Sequence, residues 1–381
     1  MSEIGFWNFA NNQPEKLALV DPKQKEWSRG ELHGLANTIV HSLRSLGLKR
    51  GDSIAVVLPN CAEYFALNLA CAQSGLYMVP VNWHLAGPEI AYILSDSGAK
   101  VFFGSSENEN ISKACLSAAK EANFTSENSI SIGSLEGFTE FTSFLSGQSS
   151  EIPKERSPGS VMNYTSGTTG KPKGVKRNLA EGDPDEISSL FAMFLGLFGI
   201  EKEDSNVHIC ASPLYHTAPL LWSSSSLHLG HPVILMNKFE AEEMLKLIEK
   251  YKITTSHMVP TQFHRLLSLP EKIRSKYDCS STKRMIHAAA PCPPHIKEAM
   301  INWWGNSIYE YYAATEGGGT MVSPEEWLKY PGTVGKPWLG SDIKIINENS
   351  EEVSSGEEGM VYMLLGQAQF EYKGDKEKTE E

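Results

Sequence analysis

Residues 51–82, GDSIAVVLPNCAEYFALNLACAQSGLYMVPVN, leave few folds open. A β-branched apolar run halts at Pro59 and Asn60, an amphipathic helix fits 61–74, and a short second strand follows Gly75. Strand, helix and strand at this spacing make a βαβ unit, whose strands run parallel and whose helix covers one face of the sheet. Residues 87–105, GPEIAYILSDSGAKVFFGS, repeat the theme, with a helix closed at Ser97 and Gly98 and a strand over 100–104. The expectation is an α/β chain built on parallel sheet with covering helices.

The alternation lapses over 106–158, which are richer in Ser, Glu and Gly and read as a peripheral segment with one helix near 111–122. It resumes with VHICASPLYH as a strand, a helix within 239–253, TTSHMVP as a strand, and KRMIHAAAPCPP as a strand and turn. The α/β order runs to about residue 320, after which 341–365 reads as two strands around a Ser/Gly/Glu turn, a barrel element or an edge hairpin. The longest apolar run, LFAMFLGLFGI at 190–200, is too short to span a bilayer and reads as a buried helix. The charged residues at the C-terminus are expected to fray.

Residues 164–174, YTSGTTGKPKG, are costly to order, because glycine gives up more backbone freedom than any other residue and the hydroxyl residues bury little apolar surface. Close backbone N–H groups, hydroxyl donors and mobile lysine charge together suit a polyphosphate. The G-x-x-x-x-G-K-[ST] spacing fails from both Gly167 and Gly170, and G-x-G-x-x-G, H-E-x-x-H and G-x-S-x-G are absent.

Composition narrows the ligand. With 381 residues, 41% of them hydrophobic, the chain can bury a large core in two or three domains or subdomains. A formal net charge of −12 argues against a nucleic-acid surface or an anionic membrane, so a nucleotide partner is expected to be a small molecule. Six cysteines (Cys61, Cys71, Cys115, Cys210, Cys279, Cys292) have neither C-x-x-C nor zinc-ligand spacing, and no secretory leader, lipidation motif or internal repeat is read, which fits a reducing cytoplasm.

The loop at 164–174 is similar, almost letter for letter, to the phosphate loop of the adenylate-forming superfamily: acyl- and aryl-CoA synthetases, firefly-type luciferases and the adenylation domains of nonribosomal peptide synthetases. Further segments resemble the family's in the same order: SPLYHTAP (212–219), HAAAPCP (287–293), YYAATEGG (311–318) and GTVGKP (332–337). The N-terminal βαβ region and FEYKGDKEKTEE (370–381) resemble the bacterial fatty-acyl-CoA synthetases in particular.

What the resemblance implies is specific. The fold would be α/β, with two helix-flanked, largely parallel β-sheets packed together and a smaller distorted β-barrel at the C-terminal end. The chain would be one large N-terminal domain with subdomains near 1–160, 161–320 and 321–381. The family's ribose-binding aspartate, hinge and small C-terminal domain with its catalytic lysine are not found in the 381 residues. Thr165, Ser166, Gly167, Thr168, Thr169 and Gly170 would hold the β- and γ-phosphates of ATP, with Lys173 as counter-charge; Lys171 is read equally as a solvated residue. Ala289 and Ala290 would read the adenine edge through their backbone, and Tyr312, rather than its neighbour Tyr311, would stack on the base. The residue after that aromatic is commonly glycine in the family and is Ala313 here. Thr315 and Glu316 would meet the α-phosphate and Mg²⁺, which takes few protein ligands and uses substrate phosphates for the rest.

Thr165, His216 and Glu316 are implied to serve the reaction itself. His216, read at the end of an apolar strand, would lie where the substrate carboxylate meets the nucleotide. Trp222, with 218–230, and Val259, within 257–267, would wall the acyl pocket, Trp222 limiting its depth. The implied reaction is ATP-dependent activation of a carboxylic acid, a medium or long fatty acid first, followed by transfer to coenzyme A. A carrier-protein-loading adenylation domain and a non-catalytic nucleotide-binding module are the alternatives.

Overall fold

The computed structural model describes residues 4–165, 172–202, 205–313, 318–365 and 371–372. Helix α1 (Phe6–Asn12) leads into β1 (Leu17–Val20) and β2 (Glu26–Ser28), an antiparallel pair. Ser28 then starts α2 (Arg29–Ser45): its hydroxyl accepts from the Glu31 N–H while the Glu31 carboxylate accepts from the Ser28 N–H.

Six strands follow in a sheet that is parallel throughout: β3 (Ser53–Val56), β4 (Tyr77–Pro80), β5 (Ala99–Ser105), β6 (Ser129–Ile132), β7 (Thr139–Glu140) and β8 (Ser160–Val161), ordered β7-β6-β5-β3-β4-β8. The connections carry α3 (Ala62–Ser74), α4 (Gly87–Ser97), α5 (Glu109–Glu121) and the short α6 (Phe141–Leu145). Gly75 and Gly98 end α3 and α4 in the left-handed conformation, at φ 70° and 65°, where a Cβ is strained. The βαβ reading of 51–82 therefore holds, with Cys61 as the cap before α3. The segment over 106–158 was under-read, since it adds β6 and β7 to the sheet beside its helix.

A hairpin of β9 (Asn163–Thr165) and β10 (Lys173–Lys176) brackets the glycine-rich loop, Lys173 pairing with Thr165 and Gly174 with Tyr164. Helix α7 (Pro184–Ala192) and a 3₁₀ turn (Met193–Phe198) come next. Here the structure corrects the sequence reading of a buried helix over 190–200. Leu195 and Phe198 turn inward, but Leu190, Phe191 and Met193 are each at least 60% exposed, because the helix stops at Ala192 and the tighter turn splays the apolar side chains to both sides.

The second sheet holds β11 (His208–Cys210), β12 (Val233–Leu235), β13 (Thr255–Met258), β14 (Arg284–His287) and β15 (Ile308–Ala313), all parallel, followed by antiparallel β16 (Gly319–Val322) and β17 (Lys336–Pro337). Its order is β17-β16-β15-β14-β13-β11-β12-β1-β2. Thus β1 and β2, which chain order would assign to the first unit, extend the second sheet. Helices α8 (Thr217–His228), α9 (Ala241–Tyr251), α10 (Pro260–Leu267), α11 (Glu271–Arg274), α12 (Pro294–Trp304) and α13 (Pro324–Lys329) connect the strands. One apolar cluster bonds the two sheets, joining Ile54 and Val56 of β3 and Phe65 and Leu69 of α3 to Val233 and Leu235 of β12.

The antiparallel pair β18 (Ser341–Ile346) and β19 (Met360–Leu365) matches the expected hairpin, and β20 (Glu371–Tyr372) returns to pair with β10. The mixed α/β architecture with two helix-flanked sheets is as expected; the C-terminal strands are seen as these two small antiparallel groups. Among the described residues, no helix is long and apolar enough to cross a membrane.

Candidate active site

Parallel strands deliver their loops to one edge, and in open α/β sheets the crevice lies beyond the carboxyl ends where strand order reverses. In the larger sheet that reversal is at β11: β12 lies on one side of it and the next strand in sequence, β13, on the other. The loops leaving β11, β13 and β14 carry His216, Val259, and Ala289 with Ala290, and Tyr312 is the penultimate residue of β15. The fold therefore gathers candidates scattered over roughly a hundred residues of sequence at one edge of one sheet.

His216 is not at the strand end as expected. It lies past the turn 211–215 as the residue before α8, with extended backbone (φ −82°, ψ 144°) and no side-chain cap bond to that helix. Its ring is 4.4 Å from that of Tyr215 by centroids. The side chain remains exposed, yet desolvation by the surrounding protein lowers its pKa, so the neutral imidazole dominates at pH 7.

Two buried amides hold the segment leading to His216. Asn60, just beyond β3, donates to the carbonyls of Ser212 and Met236 at 3.0 and 2.8 Å and accepts from the Leu214 N–H at 2.9 Å. Gln262 of α10 donates to the Ala211 carbonyl at 3.3 Å and to Ser212 Oγ at 3.1 Å, and accepts from the Val259 N–H at 3.0 Å. Sequence reasoning missed both residues; Asn60 was visible only as a strand stop.

Ala289 has φ 70°, a left-handed conformation that costs a residue with a Cβ about 1 kcal/mol or more. Strain of this kind turns the backbone after β14 outward, leaving Ala289 and Ala290 exposed beside buried Ala288. On neighbouring β15, Tyr312 is 46% exposed while Tyr311 turns to the opposite face, where its hydroxyl meets His257 Nε2 at 2.9 Å. Burial pushes the Tyr311 hydroxyl up to about 12, so it stays protonated. Of the two tyrosines, Tyr312 is the one whose ring is free to stack on a ligand.

Trp222 on α8 is 1% exposed. Its ring packs against Phe198 (5.0 Å between centroids), Phe194 (5.6 Å), His257 (5.8 Å) and Tyr311 (6.1 Å). It forms an aromatic wall behind the α8 N-terminal turn, and Val259 lies half-buried at the start of α10.

The glycine-rich loop is anchored at both ends. Tyr164 OH donates to Asp96 at 2.5 Å and Tyr92 OH donates to the Pro172 carbonyl at 3.2 Å, both partners tying the β9–β10 hairpin to α4. Thr165 and Lys173 face each other across that hairpin. Ser166, Gly167, Thr168, Thr169, Gly170 and Lys171 lie outside the described residues, as do Thr315 and Glu316. Among the described residues, no group of three His, Cys, Asp or Glu side chains could hold a metal ion.

The chain is similar to known proteins over most of its length. The family profile for AMP-binding enzymes matches residues 6–367. The chain is 28% identical over 363 residues to the fatty acid–[acyl-carrier-protein] ligase ScoC of Streptomyces coeruleorubidus, covering 92% of this chain and 66% of that protein. It is 27% identical over 357 residues to the long-chain-fatty-acid–CoA ligase FadD13 of Mycobacterium tuberculosis, covering 91% of this chain and 67% of that protein. It thus spans about two thirds of the length of these curated relatives. Its fold superposes on the N-terminal domain of FACL13 from Mycobacterium tuberculosis with a TM-score of 0.79 at 24% identity, over 98% of this chain and 91% of that one. The motif resemblance and the profile coincide over nearly the whole chain, which belongs to the AMP-binding enzyme family.

Proposed function

We propose that the protein is an acid–thiol ligase that activates an apolar carboxylic acid with ATP as an acyl-adenylate and passes the acyl group to coenzyme A. The observation that carries this reading is the left-handed turn at Ala289 beside exposed Tyr312. Together they offer backbone polar groups and an aromatic face at adjacent carboxyl ends of parallel strands, as an adenine ring requires. A medium or long fatty acid is the favoured substrate class, supported by the apolar and small residues of α8 and by the names of the fatty-acid ligase relatives. A reducing cytoplasm is the compartment that the six free cysteines favour.

In the first half-reaction a carboxylate oxygen attacks the α-phosphorus and pyrophosphate leaves. Two anions must meet, so the protein's work is positioning and neutralising charge as it develops. The phosphate loop and Lys173 hold the triphosphate; Tyr312 and 288–290 hold the base. Neutral His216 can hydrogen-bond the carboxylate without a fixed cation that would bind the ground state too tightly. Magnesium would arrive on the substrate's phosphates, and Glu316 would be the residue that meets it; when bound, the ion would supply electrostatic neutralisation of phosphate charge.

The test is calorimetric titration with Mg·ATP, followed by acid-dependent ATP–pyrophosphate exchange across a chain-length series. Absence of any Mg·ATP binding sinks the reading. ScoC, whose name gives a carrier protein as acceptor, motivates the second reading, an adenylation domain loading a carrier. Mass-spectrometric assay of acyl transfer to coenzyme A against a phosphopantetheinyl carrier separates the two.

A further inference from the structure

Lys297, on the first turn of α12, has 0% of its surface exposed. Its ammonium donates to Glu310 Oε2 at 2.5 Å and lies 5.0 Å from the centroid of the Trp327 ring. Glu310 stands in β15 opposite His287 of β14. His287 Nε2 is 3.5 Å from the same carboxylate oxygen, its ring meets Phe263 edge-on, and neither of its nitrogens has a hydrogen-bond partner among the described residues.

Packing gives no reason for this arrangement. Removing a charge from water costs several kcal/mol even after relaxation, about the scale of a whole domain's stability, and well-packed apolar residues often replace a buried ion pair without loss. What the pair joins does give a reason. Side chains alternate along a strand, so Ile308, Glu310 and Tyr312 share one face of β15, and Glu310 is the residue behind the exposed Tyr312 ring. His287 immediately precedes the strained turn 288–290, and that turn leads directly into α12. The Lys297–Glu310 bond therefore closes a loop: end of β14, turn, first turn of α12, and back to the middle of β15, two residues before Tyr312.

We propose that Lys297 and Glu310 are positioning residues that fix the gap between 288–290 and Tyr312, and so the fit of a purine in it. This rests on the reading of that gap as the adenine slot. A short charge-assisted bond is directional and holds α12 against β15 in one register, whereas an apolar contact tolerates sliding.

The test compares wild type with Lys297→Met/Glu310→Leu, measuring melting temperature without ligand and the affinities for Mg·ATP and Mg·GTP by competition calorimetry. The expected result is a double variant that melts close to wild type but binds Mg·ATP about tenfold more weakly, with a smaller change for Mg·GTP, so that base discrimination falls. A loss of general stability would lower both nucleotides alike. Native melting with a native ATP-to-GTP ratio overturns the proposal and leaves the pair as core packing. Should that variant fail to fold, Lys297→Met/Glu310→Gln keeps both side-chain volumes, and an unchanged ratio there overturns it equally. A wild-type protein that binds Mg·ATP without preferring it to Mg·GTP overturns the adenine slot, and this inference with it.

Discussion

Asn60 and Leu214, far apart in sequence and on loops leaving different sheets, are joined by a 2.9 Å hydrogen bond from the Leu214 N–H to the Asn60 side-chain oxygen. The same amide donates to Ser212 and Met236, so three main-chain groups of the second sheet depend on one side chain of the first. Asn60 is 5% exposed, and water cannot easily take over its role. Asn60→Ala is expected to cost about 3 kcal/mol or more, since each buried polar group left unpaired costs about 1–3 kcal/mol. Because the segment it grips leads to His216, KM for the acid should rise more than KM for ATP. Urea denaturation and steady-state kinetics check both; equal rises in the two constants would remove the positioning role.

The aromatic wall makes a separate prediction. Trp222→Ala should destabilise by about 3–5 kcal/mol, because the ring is enclosed and the site can collapse only in part. The volume it leaves borders the α8 turn, so acids longer than the wild-type optimum should gain about 0.8 kcal/mol per buried CH₂. A destabilised variant with an unmoved chain-length profile would make Trp222 a core residue only.

Periodicity and caps made some elements legible. For α3 and α4, a strand stop or proline at one end and Gly75 or Gly98 at the other gave the bounds almost to the residue, because each signal acts within a single turn of chain. The pairing of β1 with β12 was not legible: its partners lie more than two hundred residues apart and the strands are short. Leu190, Phe191 and Met193 misled because hydrophobicity reports what a side chain prefers, and not whether the backbone gives it a core to enter. At the site, the residues expected to touch ligand were readable from motif resemblance, whereas Asn60, Gln262, Lys297 and Glu310 act through tertiary partners that no local pattern announces.

Tyr164 tests how far the phosphate loop depends on its anchors. Burial, together with the bond to Asp96, raises its hydroxyl far above the ordinary value, so it stays protonated and donates. Tyr164→Phe removes a hydrogen bond to a carboxylate, worth about 1.5–3 kcal/mol, while keeping the ring that packs over Gly174. The expected outcome is a lower melting temperature and a several-fold weaker Mg·ATP affinity. A variant that melts lower but binds Mg·ATP as wild type does would show that the loop holds its shape without this tie.

Buried histidines set the response to acid. Burial lowers His228 to about 4 and His257 to about 3; burial and then the Arg156 charge take His33 to about 4; burial and then the charges of His257 and His231 take His208 to about 3. All four folded values lie below the unfolded value near 6.5, so between about pH 6.5 and 4 the unfolded chain binds more protons than the folded one. Their contribution to stability is fully present above about pH 6.5 and is lost as pH falls toward 3–4, each histidine adding a slope of about 1.4 kcal/mol per pH unit once the unfolded form is charged. Protonation also has local consequences. His228 Nδ1 accepts the Phe6 N–H at 3.2 Å, so charging it removes the acceptor that docks α1, and charging His257 alters its contact with Tyr311 OH. Set against an ordinary stability of about 5–15 kcal/mol, losses of this kind should weaken the fold markedly by pH 4. Urea midpoints at pH 7, 6 and 5 should fall steeply below pH 6.5, and His228→Gln, which keeps an acceptor for Phe6 and cannot charge, should flatten that fall. A midpoint unchanged from pH 7 to pH 5 would mean that these rings are hydrated in solution and that burial does not hold them neutral.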